Sequence, residues 1–126
     1  MDIASRENAS SEKTIHELGD LIQQITRHDK AEESREFASK MQSALYGAAI
    51  KANPSAKNRG VKKAPFVVLI GATMPSILAE IGFVSNSKEE SMLKRPDHRQ
   101  RLAEALYRGL SRYAETLSHF QVAAKD

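Results

Sequence analysis

The sequence predicts an α/β chain, mostly helical, with two short strands. Three observations carry that class. Apolar residues recur at helical spacing over residues 12–27, 35–51 and 97–118. Two short apolar runs, at 66–70 and 77–83, have the length and composition of strands. Gly and Pro punctuate the connections between them, at Gly71 and Pro75 among others.

Residues 1–10 are polar and predict a loop. Thr14-Ile15-His16-Glu17 then has the form of a capping box, with Ser10 and Ser11 as other candidate caps. Ile15, Leu18, Leu21, Ile22 and Ile25 follow at helical spacing, which predicts an amphipathic helix over 12–27. Arg27-His28-Asp29-Lys30 is a charged break. Ser34 is the expected cap of a second helix, with Glu36 in its first turn where the helix dipole favours a carboxylate. Phe37, Ala38, Met41, Ala44, Leu45, Ala48 and Ala49 give its apolar stripe over 35–51, and it is expected to stop before Asn53-Pro54.

Residues 52–65 read as a basic loop carrying Lys57, Arg59, Lys62 and Lys63, with Asn58 and Gly60 as turn formers. No aromatic residue is interleaved with these cations for base stacking, so no nucleic-acid partner is expected. Phe66-Val67-Val68-Leu69-Ile70 is the first expected strand. About six residues separate it from the second, too few for a parallel crossover, so the two would be antiparallel if they were neighbours. Asn86 and Ser87 are assigned to capping a short helix that runs to Lys94. Pro96 suits the first position of the last helix and Asp97 its dipole. Leu102, Leu106, Gly109, Leu110, Tyr113 and Leu117 are expected on one buried face of that helix.

The 126 residues allow at most one domain, and the net charge of +3 allows only a mild attraction to anions. There is no cysteine, which excludes disulfides and thiolate zinc sites. Met1 to Thr14 contains no apolar core of a signal peptide, and no run reaches membrane-spanning length. The four histidines, His16, His28, His98 and His119, match no common zinc spacing and are expected at the surface. No Gly-x-Ser-x-Gly nucleophile motif occurs.

One carboxylate stands out. Glu80 lies inside Ile77-Leu78-Ala79-Glu80-Ile81-Gly82-Phe83-Val84, an otherwise apolar run. A carboxylate buried there would have to be paired, bound to a metal or protonated. At the end of a strand it can serve as a general base; on the open side of an edge strand it would simply be solvated.

The run Pro75-Ser76-Ile77-Leu78-Ala79-Glu80-Ile81-Gly82-Phe83-Val84-Ser85-Asn86, followed by Ser87-Lys88-Glu89-Glu90 and Leu93, resembles the C-terminal motif of the zinc-dependent N-acetylmuramoyl-L-alanine amidases. The resemblance extends from Ala4 to about Leu117 and implies the later half of a mixed-sheet amidase domain with flanking helices. It implies hydrolysis of the amide between N-acetylmuramic acid and L-alanine in peptidoglycan, with Glu80 as the general base. The family's zinc is held by His, Glu and His, none of which has a counterpart here, so the zinc ligands are expected to be absent from this chain. The resemblance also implies a periplasmic or other extracytoplasmic setting. By likeness to cell-division members, residues 10–32 would be an inserted regulatory helix, with Glu12 or Glu17 plugging the zinc site until an activator protein displaces it. Residues 34–118 would be the C-terminal half of the catalytic fold, and Arg59 or Lys62 would contact substrate. The alternative is a non-catalytic wall-binding or regulatory piece acting through a partner.

Overall fold

The computed structural model describes residues 3–9 and 30–123, with side chains described as far as Ser118. The whole of the helix expected over 12–27, with Glu12, His16 and Glu17, and also His28, lies outside the described residues. Four α-helices are described: α1 (Ile3–Asn8), α2 (Ala31–Ala52), α3 (Ser87–Leu93) and α4 (Pro96–Ala123). A single 3-10 turn covers Val67–Leu69. The chain divides into two compact units, one of residues 1–35 and 62–78, the other of residues 36–61 and 79–126.

In the first unit, α1 replaces the expected N-terminal loop. Ala4 is its buried residue. Asn8 at its end acts as a two-pronged clip: its Nδ2 donates to the Pro65 carbonyl at 2.9 Å, and its Oδ1 accepts from the Val67 N–H at 2.8 Å. One amide side chain thus satisfies a donor and an acceptor of a distant backbone segment.

The strand expected at 66–70 is not formed. The N–H groups of Leu69 and Ile70 bond back to the carbonyls of Phe66 and Val67, at 3.0 and 3.1 Å, and so close a tight helical turn. A strand exists only where its backbone groups meet those of a neighbour. Here Asn8 takes the Val67 N–H, and nearby carbonyls take those that follow. Gly71, at φ +91°, reverses the chain after the turn in a conformation that L side chains rarely adopt. Further on, the Ser76 N–H donates to Ser34 Oγ at 3.1 Å. Ser34, expected as a helix cap, therefore lies inside the first turn of α2 and braces this segment instead.

The second unit is built on α2 and α4. Phe37 and Tyr113 stack with ring centroids 4.7 Å apart and planes 22° from parallel. Such a pair adds about 0.5–1.5 kcal/mol beyond its burial. Met41, Ala44, Leu102, Ala105 and Tyr113 are buried around it. Gly109 marks the closest approach: a Cβ there would lie 2.8 Å from Met41 Sδ, 3.0 Å from Met41 Cα and 3.4 Å from Ala44 Cβ. The buried face of α4 thus differs from the expected one. Leu110 and Leu117 are half-exposed, at 49% and 48%. At 3.6 residues per turn they sit about 80° and 60° around the helix from Leu102, on the flank of the stripe.

The second expected strand, 77–83, is also not formed, and no strand occurs among the described residues. The sequence supplies apolar strand-length runs but no described partner for their hydrogen bonds. The class of this chain, over the described residues, is therefore helical and not α/β. No helix is long and apolar enough to cross a membrane among these residues.

Candidate functional site

Within the second unit, the segment following Glu80 is fixed by side chains that reach backbone groups. Asn86 caps α3, its side-chain oxygen accepting from the Lys88 and Glu89 N–H groups at 3.1 Å each. Glu89, three residues into the motif from that cap, reaches back with Oε2 to the Phe83 N–H at 2.8 Å. A capping box would send this carboxylate to the cap residue itself; here it anchors the chain three residues earlier and closes a turn with Asn86 N–H on the Phe83 carbonyl at 3.1 Å. Leu93 of α3 packs 3.4 Å from where a Gly82 Cβ would sit. At the far end of α3, the Arg99 guanidinium donates to the Leu93 and Lys94 carbonyls at 2.8 Å each. It thereby satisfies carbonyls that a helix end leaves without partners.

The basic loop joins this segment. The Arg59 guanidinium lies over the Phe83 ring, 5.1 Å from its centroid. Lys88 Nζ donates to Asn53 Oδ1 at 3.2 Å. Arg59, expected as a substrate contact, is thus held against the motif's own aromatic residue, and Lys62 belongs to the first unit. Gln42 Nε2 donates to Asn58 Oδ1 at 2.8 Å, and Asn58 also accepts from the Gly60 N–H at 2.9 Å. Asn58 and Gly60 form the turn their residue types predict.

Glu80 stands in the stretch without regular secondary structure just before this braced turn, and it is exposed. Ile81 and Val84 beside it are exposed too, at 46% and 74%. The expectation that this run is buried is corrected: its apolar composition is real, but no described element covers those side chains. An exposed carboxylate two residues before a glycine, and followed by a fixed turn, lies where solvent reaches it.

The histidines divide. His98 is buried at 8% exposure near the start of α4, not at the surface as expected. His16, His28 and the side chain of His119 lie outside the described residues. Among the described residues no group of three or more His, Asp or Glu side chains lies together to hold a metal. The described side chains therefore do not by themselves fit the zinc that the resemblance implies.

Comparison with known proteins decides the family. Residues 7–112 match the family described as N-acetylmuramoyl-L-alanine amidase. The chain belongs to that family. Its amidase relatives include an uncharacterized cell wall amidase of Bacillus anthracis, 41% identical over 87 residues, which are 69% of this chain and 15% of that protein. The N-acetylmuramoyl-L-alanine amidase LytC of Bacillus subtilis is 33% identical over 84 residues, 67% of this chain and 16% of its own. The amidase AmiC of Escherichia coli is 33% identical over 98 residues, 78% of this chain and 21% of its own. The chain thus spans well under half the length of these amidase relatives. No solved structure matches it.

Neither the Glu89 bond nor the Arg59 stack was expected. The first was within reach of the sequence, because a carboxylate three residues after an Asn cap is a capping signal. The second joins residues 24 apart across a loop, and no local pattern announces it.

Proposed function

We propose that this chain contributes to a peptidoglycan amidase and that Glu80 is its general base. The reaction is hydrolysis of the amide between the N-acetylmuramic acid lactyl group and L-alanine. Family membership supports the reaction class. The observation that supports the residue is the exposed Glu80, three residues before the Phe83–Asn86 segment that side-chain hydrogen bonds hold in place.

In this reading Glu80 takes a proton from the attacking water as its oxygen bonds to the lactyl carbonyl carbon. It then gives that proton to the alanine nitrogen as the C–N bond breaks, leaving a carboxylic acid and a free amine. Zinc, which in this family makes the attacking water more acidic, would be held by groups outside the described residues. The setting follows the relatives named as cell wall amidases: extracytoplasmic, on the wall, with any activator protein acting on residues 10–32.

The test is an assay of purified peptidoglycan with zinc supplied, reading stem peptides with a free N-terminal alanine by mass spectrometry. An amidase that contains this chain together with its zinc ligands is expected to release them. Glu80→Gln, which keeps shape and removes the base, is expected to lose about 10²–10⁴-fold in rate. A fully active Gln variant overturns the assignment. The second reading is a wall-binding or regulatory piece working through a partner. Tight wall binding by this chain, with no release of peptides by an amidase that contains it together with its zinc ligands, would select it.

A further inference from the structure

A groove of about 500 Å³ runs between α2 and α4 in the second unit, and the amidase reading makes no use of it. Its α2 side is small: Ala44, Gly47 and Ala48 line it, and nothing lies within 4 Å of where a Gly47 Cβ would be. Its rim is basic. Arg101, Arg108 and Arg112 come from α4 and Lys51 from the last turn of α2, against one carboxylate, Glu104. Four cations against one anion leave +3, as much as the whole chain carries.

These charges are available. Glu104 accepts from Gln100 Nε2 at 3.2 Å. Among the described residues the only ion pair at the rim is Arg101 with Asp97, loose at 3.6 Å and exposed, of a kind worth little. Lys51 also offsets the negative end of its own helix, so the arginines carry most of the field. They are exposed. From Arg101 to Arg112 they extend over about 16 Å of helix at 1.5 Å per residue, too far for one small anion to meet them all. Arginine's planar fork suits the paired oxygens of phosphates and carboxylates.

The lining determines the kind of polyanion. No aromatic side chain lines the groove, so it offers no platform for stacking bases. The Ala and Gly side gives room for a slim backbone and no apolar pocket for peptide side chains. We infer that the α2–α4 groove is a docking surface for a base-free phosphodiester polymer, a polyol-phosphate chain whose successive phosphates meet Arg101, Arg108 and Arg112.

The experiment titrates the purified chain with poly(glycerol phosphate) freed of lipid, at 50 and 200 mM salt, by calorimetry. Contacts from the four rim cations, Lys51 included, at a slope near 0.7 each predict roughly 50-fold weaker binding at the higher salt. R108Q/R112Q is expected to bind at least about tenfold more weakly at 50 mM salt and to lose about half of that slope, while R108K/R112K keeps most of the binding. Circular dichroism verifies that both variants fold. K57Q/K63Q, which neutralises lysines outside the groove, is expected to stay within about twofold of the unaltered chain. Binding that ignores salt, or that survives R108Q/R112Q, overturns the inference. So does equal affinity for polyglutamate or for oligo(dT) of the same charge, which would mark a general polyanion surface.

Discussion

The α2–α4 pair from Glu36 onward and the segment from Ala79 to Glu90 belong to the same compact unit and are held by opposite means. The helix pair is held by side chains meeting side chains: the Phe37–Tyr113 stack, and Met41 and Ala44 against Gly109. The segment is richer in apolar residues over its first half, yet Ile81 and Val84 stay exposed. It is held by polar atoms that meet backbone N–H groups, Asn86 at one end and Glu89 at the other. Apolar content therefore does not decide what is buried. Burial needs a second surface, and hydrogen bonds can set a local shape without one.

The sharpest break of this contrast is at Gly109. In Gly109→Ala the new methyl meets Met41 Sδ, which can move, and Met41 Cα, which cannot without shifting α2. Alanine is about 1 kcal/mol better than glycine in a helix interior, so an uncrowded site would gain stability. The expected result is a net loss of about 1–3 kcal/mol in urea unfolding, as overpacking outweighs propensity. A stabilised variant would show that the helices part freely at this point.

Asn86→Ala tests the segment in the same way, through its cap. It is expected to cost about 1 kcal/mol, with some loss of helical circular dichroism from α3. Asn86→Asp keeps an acceptor for the same N–H groups and is expected to stay close to the unaltered chain. Arg59→Ala removes the guanidinium from the Phe83 ring. The pair is exposed on the Arg59 side, and a loss of about 0.5–1 kcal/mol is expected. The smallest effect is electrostatic. The Arg95 hydrogen bond holds the Asp97 carboxyl below its ordinary value of 3.8, with Arg95 and Arg101 adding attraction, while desolvation works the other way. A carboxylate whose folded value is lowered adds stability above the unfolded value and loses it as pH falls through the folded one. Acid titration below about pH 4 should therefore show a slightly shallower fall in stability for Asp97→Asn, vanishing in high salt because the pair lies at the surface.

The comparison also explains what the sequence could reveal. The helices α2, α3 and α4 were legible because their signals are local: the stripe of Phe37, Met41 and Ala44, the Asn86 cap, and Pro96 at the start of α4. The two strands were misread because a strand is a relation between distant segments, and runs such as Val67–Ile70 carry no record of whether a partner exists. The exposure of Glu80 stayed open between a buried and a solvated reading for the same reason: its apolar neighbours suggested a core that no described element closes. The motif around Glu80 was legible as a family resemblance, whereas the stack of Arg59 on Phe83 rests on the path of the loop.

Asn8 has a consequence for the order in which the chain assembles. Its two bonds reach over 57 and 59 residues of sequence. Closing a flexible loop of that length costs about 3.6 kcal/mol by chain statistics alone. Two hydrogen bonds return about 2 kcal/mol between them. The clip therefore cannot draw its two segments together and must form after other contacts have already brought them near. It belongs to the late steps of folding and the early steps of unfolding. The Val67 amide should accordingly exchange its proton with solvent through a small local opening, well before the amides of α4 do so.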